Sequence, residues 1–216
     1  MSEQAIRDIL SPSERERVLR AMARICAERG YGETTVAAVA AEAGVEEDAF
    51  AEMFANKEQC MLAVIDAAAS ETIAAVSTAY KPDRSPWESA VFGIKAILEM
   101  MAANPSLAYV SYIAARQMAP PAVARAREAG VRMLAAMMNR TRGYSDTNQQ
   151  PPAAALAALG GAEAVVRREI SAGRTEQLPR LLPDLVYGAA VPFLGQEEAM
   201  RLAQTGRRAL RGTRWE

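Results

Sequence analysis

Apolar positions recur at helical spacing along the chain, and alternation of the strand type nowhere reaches useful length. In SPSERERVLRAMARICAERGY, residues 11–31, Val18, Met22 and Ile25 step by three and four, while Leu19 and Cys26 widen the stripe. Ser11, Pro12 and Glu14 fit an N-cap, a first-turn proline and a capping-box partner, and Gly30 supplies the stop. In the following GETTVAAVAAEAGV, Thr34 or Thr35 can cap a short helix whose inner face is Val36, Val39, Ala40 and Ala43. Gly44 permits the left-handed backbone of a tight turn, and Val45 re-enters the core. Phe50 and Phe54, four apart, mark the buried side of a second short helix. Two short helices about a tight turn, behind a supporting helix, form a helix-turn-helix arrangement.

Asn56 and Gln59 fit a further cap opening a long helix that ends at KPDRSP, residues 81–86. Helical patterns follow at roughly 86–103, 105–118, 121–142, 152–173, 178–194 and 196–210. Asn104–Pro105 and Pro120–Pro121 mark boundaries, and GYSDTNQQPP at 143–152 reads as an exposed loop. Pro192 should kink or end the helix that contains it. The expectation is an all-α protein of about 9–10 helices, with a head at 11–72 and a larger body at 73–216.

Composition narrows the chemistry. The 216 residues include no histidine, so the commonest general base and metal ligand is missing. Glycine-rich phosphate loops and metal-ligand spacings are also lacking, and Glu197 and Glu198 are adjacent, facing different directions on a helix. No enzyme, catalytic residue, metal or cofactor is expected. Cys26 and Cys60 lie in helical patterns without a CxxC, which suits a reducing compartment. A charged N-terminus and the lack of an apolar run of about 18 residues lead us to expect a cytoplasmic protein without membrane association.

The joint pattern RERVLRAMARICAERGYGETTVAAVAAEAGV, the Phe50–Phe54 pair and FANKEQC resembles the TetR family of bacterial transcriptional regulators over about residues 12–72. The tail LPRLLPDLVYGAAVPFLGQEEAMR is similar to the C-terminal end of some members. This resemblance implies an all-helical homodimer, each subunit with a DNA-binding head and a body that binds an effector and the partner. It implies phosphate contacts by Thr34, Thr35 and Lys57, and a reading helix whose Glu46, Glu47, Asp48, Ala49, Ala51 and Glu52 face base edges. The chain departs from the family where Ser, Gly and an aromatic are usual, with Glu46, Asp48 and Ala51, and Met53 stands where His or Tyr is often found.

Charge complicates that picture. Residues 1–60 sum to −5 and residues 61–216 to +4, so the head is the acidic part of a chain whose net charge is −1. Affinity for a duplex rests largely on neutralising phosphates. The carboxylates of the second short helix can serve its positive N-terminal end, or accept from a cytosine amino group. Basic groups available to DNA include Arg7, Arg15, Arg17 and Lys57.

In the body, Trp87, Phe92, Met100, Met101, Tyr109, Tyr112, Met118, Met133, Met137 and Met138 fit either plain core or an adaptable pocket for a small apolar effector. Gly160, Gly161 and Ala164 allow close helix approach, and Leu181, Leu182, Leu185, Val186 and Phe193 supply apolar area, either within one chain or across a dimer. The reading is a ligand-responsive DNA-binding regulator, a repressor that an apolar effector releases from its double-stranded operator. The alternative is a TetR-like ligand- or protein-binding module whose acidic reading helix has weakened or lost DNA affinity.

Overall fold

A computed structural model describes residues 13–118 and 153–211, and every regular element among them is helical. The expectations for Ser11, residues 121–142, the loop at 143–152 and the side chains of Met118, Met133, Met137 and Met138 lie outside what is described.

The head is built from α1 (Glu14–Arg29), α2 (Val36–Ala43), α3 (Glu47–Met53) and the start of α4 (Lys57–Ala79). Ser13 caps α1 and exchanges a full capping box with Glu16. SPSERE offers the same S-x-x-E pattern at 11–14 and at 13–16, and the fold uses the second. Thr35, of the two candidate threonines, caps α2 by accepting from the Ala38 N–H at 3.2 Å. Gly44 ends that helix in the left-handed conformation, φ 65°, with its own N–H and that of Val45 returned to Ala41 and Ala40. This closed turn lets α3 cross tightly, and Phe50 and Phe54, centroids 5.6 Å apart, insert beneath it. They join Val18, Met22, Cys26, Val39, Cys60, Met61 and Val64 in one core.

That core is completed from further along the chain than the head's own sequence. Val110 and Ala114, both 0% exposed, belong to it. They sit in a π turn, Val110–Ala114, between α6 (Pro105–Tyr109) and α7 (Ala115–Met118). Tyr109, Tyr112 and Ile113 of the same segment pack against the core of the body. Tyr109 and the π turn are therefore wedged between both cores.

The body's core is formed by α5 (Pro86–Ala103), α8 (Ala153–Ser171), a 3-10 segment (Thr175–Leu181) and α9 (Leu182–Arg211). Gly195, at φ 77° and ψ 172°, breaks α9. The boundary expected between 194 and 196 is thus present, three residues after Pro192, and the glycine makes the break. Gly206 packs the second part of α9 onto the first, since a Cβ there would lie 3.3 Å from Leu182 Cγ. Leu182, Leu185, Val186 and Phe193 are buried inside the single chain. Gly160, Gly161 and Ala164 are exposed instead.

α4 is 23 residues long with a mean hydropathy of 1.5 in its most apolar window, which meets the length and composition of a bilayer span despite the expectation above. The interruptions that broke its apolar run, Asp66 and Glu71, are exposed, while Cys60, Met61, Val64 and Ala68 face the protein interior.

A buried carboxylate ties α8 to the 3-10 segment. Glu169 takes the Arg174 Nε at 2.6 Å and the Arg168 Nε at 3.0 Å. The Arg174 guanidinium, aided by Arg168, holds its carboxyl below the usual range. A carboxyl depressed on folding stabilises fully above its unfolded pKa of about 4.3, and that stabilisation is lost as pH falls through the folded value. Thermal unfolding of Glu169→Gln should therefore lose less stability than the parent between neutral pH and about pH 3; parallel melting curves across that range would contradict this.

Candidate nucleic-acid interface and cavity

The head presents the outer side of α3. Glu46, Glu47, Asp48, Ala51 and Glu52 are exposed, Ala49 is half-buried, and Phe50 anchors the opposite side at 1% exposure. Every charged group on that outer face is a carboxylate. Glu46 occupies the N-cap position without a side-chain capping bond, and Glu47 and Asp48 stand in the first turn, where the helix dipole favours them. Met53 is half-buried against the core rather than presented outward.

The residues expected at phosphates separate into two kinds. Thr35 is exposed at the start of α2, where its hydroxyl takes the Ala38 N–H; a first helical turn is able to receive an anionic oxygen. Thr34 is fully buried, its hydroxyl donating to the Gly30 carbonyl at 2.9 Å. Lys57 turns inward too. Its Nζ donates to the carbonyls of Tyr31 at 3.2 Å, Gly32 at 3.3 Å and Thr34 at 2.9 Å, and lies 4.7 Å from the Tyr31 ring centroid. The Lys57 ammonium so closes the loop between α1 and α2, whose carbonyls at Tyr31, Gly32 and Thr34 it gathers.

Arg15, Arg17 and Arg24 are likewise engaged. Arg15 lies over the Phe54 ring at 5.2 Å. Arg17 Nε donates to Ala43 O at 3.0 Å, capping the end of α2, and Arg24 pairs with Glu28 and Glu42. Arg7 lies outside the described residues. Cys26 and Cys60 are buried free thiols, pushed by burial to about 11 and about 12, so neither is a nucleophile at neutral pH.

Where head meets body lies a small cavity of about 30 Å³. Ala68 and Thr72 of α4, Ile97, Met100 and Met101 of α5, Leu107 and Ala108 of α6, and Ser111 and Tyr112 of the π turn line it. Its threonine and serine hydroxyls are turned back onto helix carbonyls, Thr72 to Ala68 and Ser111 to Leu107, which leaves an apolar wall. Of the expected effector residues, Met100, Met101 and Tyr112 meet here. Tyr109 lies between the two cores without lining the cavity. Trp87 packs on Phe193 at 5.9 Å, its indole N–H buried without a partner among the described residues. Phe92 sits apart, beneath Arg84. Among the described residues no group of acidic, histidine or cysteine side chains could hold a metal ion.

Residues 18–64, which span the supporting helix, the turn and the start of α4, match the model of the bacterial regulatory proteins of the tetR family. The chain carries a tetR-family head. The whole tetR-like architecture has solved counterparts. The fatty acid degradation regulator FadR from Bacillus halodurans is 16% identical at a TM-score of 0.72, over 87% of this chain and 98% of that one. A TetR-like transcriptional regulator from Rhodococcus sp. RHA1 is 21% identical at 0.61, over 94% and 100%. FadR from Bacillus subtilis, solved in complex with stearoyl-CoA, is 14% identical at 0.66, over 83% and 97%. No curated protein matches the chain in sequence. These likenesses show a tetR-like fold and no more, with the body beyond residue 64 related by shape alone.

Proposed function

We propose that this chain is a ligand-responsive, DNA-binding transcriptional regulator, a homodimeric repressor released from its operator by a small apolar effector. The observation that carries this reading is the π turn Val110–Ala114, which lines the cavity with Ser111 and Tyr112 while its Val110 and Ala114 complete the core of the head. A π turn carries one residue more per turn than an α-helix and often marks a functional site. An effector entering between Met100, Met101 and Tyr112 has to widen the cavity, and methionine side chains re-pack readily. Widening displaces the π turn and tilts α4, and with it the head. A two-headed protein whose reading helices leave the spacing of the groove loses one head's contacts.

Dimerisation is supported by the outer faces of α8 and α9, where Leu156 and Met200 are 45% and 39% exposed. Beside Leu156 the exposed Gly160, Gly161 and Ala164 permit close approach of a second copy. FadR from Bacillus subtilis, whose fold this chain shares, was solved with stearoyl-CoA, which supports an apolar portion in the effector.

The second reading, a tetR-like module that binds a ligand or protein but has little hold on DNA, is favoured by one observation: the outer face of α3 bears carboxylates and no cation. Fluorescence anisotropy with duplexes from the region upstream of the protein's own gene separates the two. Tight, sequence-dependent binding that weakens with salt supports the regulator. A flat signal at low salt rejects it and leaves the module.

A further inference from the structure

On the outer flank of the seam between α4 and α5 lies a second hollow of about 180 Å³, separate from the apolar cavity. Lys81, Arg84 and Lys95 converge on it, with Glu99 as the single carboxylate of its lining and the Phe92 ring in its wall. Arg84 is held in place twice. Its guanidinium lies 3.6 Å from the Phe92 centroid, and Nη1 donates to Ala79 O at 3.0 Å, capping the end of α4. Lys95 is only 17% exposed and pairs with Glu99. Lys81 is exposed at the rim. Nearby, Glu88 is engaged by Ser85 within its own capping box, and Asp83 is exposed without lining the hollow.

We propose that this hollow binds a small multivalent anion of the phosphate class. The lining carries two more positive than negative charges, in a chain whose total is −1. Only one edge of the Arg84 fork is used by Ala79, so the guanidinium keeps further N–H donors in a fixed plane suited to two oxygens of one phosphate. Lys95 supplies a point charge from α5 and Lys81 a third from the connecting loop. A volume below that of the usual pocket for drug-sized ligands suits a compact anion rather than an extended one. Such an anion joins the end of α4 to α5. The site is independent of whether the head grips DNA, so its failure and that of the regulator reading are separable.

The test uses the full-length protein and sodium pyrophosphate, with sodium chloride at matched ionic strength as control. Pyrophosphate should raise the melting temperature by several degrees at millimolar concentration, and chloride should not. Isothermal titration should show binding weakened about tenfold in Lys95→Met and in Lys81→Met, the loss of roughly one charge-assisted contact. Lys81 is exposed, so Lys81→Met guards against a variant that fails for want of stability. Equal pyrophosphate affinity in the parent and in Lys81→Met and Lys95→Met, or equal shifts with pyrophosphate and chloride, overturns the proposal.

Discussion

The double variant Glu47→Gln, Glu52→Gln should bind random-sequence duplex DNA roughly thirtyfold more tightly than the parent at about 50 mM salt. Both carboxylates are exposed on the outer face of α3, and no cation of that helix offsets them. A carboxylate about 8 Å from a phosphate is repelled by roughly 0.5 kcal/mol in water. Two such groups in each head of a dimer sum to about 2 kcal/mol, which the amides remove without altering side-chain size. The difference should shrink as salt rises, because screening acts on exposed charges. Anisotropy titrations at several ionic strengths measure it. An unchanged affinity means that α3 does not face the duplex, which defeats the regulator reading. If affinity for the operator itself falls while random DNA is gripped harder, Glu47 or Glu52 accepts from a cytosine amino group, and the acidic helix is a source of sequence selectivity.

Replacing Lys57 with Met should destabilise the head by about 2–3 kcal/mol, because three carbonyls lose a charged donor while the side-chain bulk is retained. For a chain of this size that corresponds to a melting temperature lower by roughly 5–10 °C. Lys57→Arg should not restore it: a planar fork cannot direct one nitrogen at three carbonyls as an ammonium does. The salt dependence of DNA binding decides between this internal clamp and a phosphate contact. Loss of a phosphate contact lowers the slope of log K against log salt by about one, and arginine would replace it well. An unaltered melting temperature in Lys57→Met together with a reduced slope would return Lys57 to the interface.

Local chemistry made the head readable in advance. Thr35, Gly44, Asn56, Phe50 and Phe54 act through neighbours within a few residues, so their spacing carries both the helix ends and the buried face. An interruption near residue 195 was expected from Pro192, whereas the break falls at Gly195, whose left-handed backbone turns the chain. The register of the first cap was not legible, since two overlapping S-x-x-E patterns are present and the helix begins at the second, with Ser13 as its cap.

Contacts across long stretches of chain were beyond reach of such patterns. Lys57 meets carbonyls 23 to 26 residues away, and nothing in its immediate surroundings distinguishes a clamp from a phosphate ligand. Methionines at helical spacing look alike whether they fill a core or border a void, so Met100 and Met101 could be placed beside the cavity only once α4, α5 and the π turn were assembled around them. Val110 and Ala114 are the sharpest case. Small apolar residues in a helical run announce burial, but which of two cores buries them depends on how the body docks, and that docking is what joins cavity to head. Helix type, ends and inward faces follow from interactions a few residues long; partners, cavities and the coupling between them arise from packing between distant segments, which a linear pattern does not encode one pair at a time.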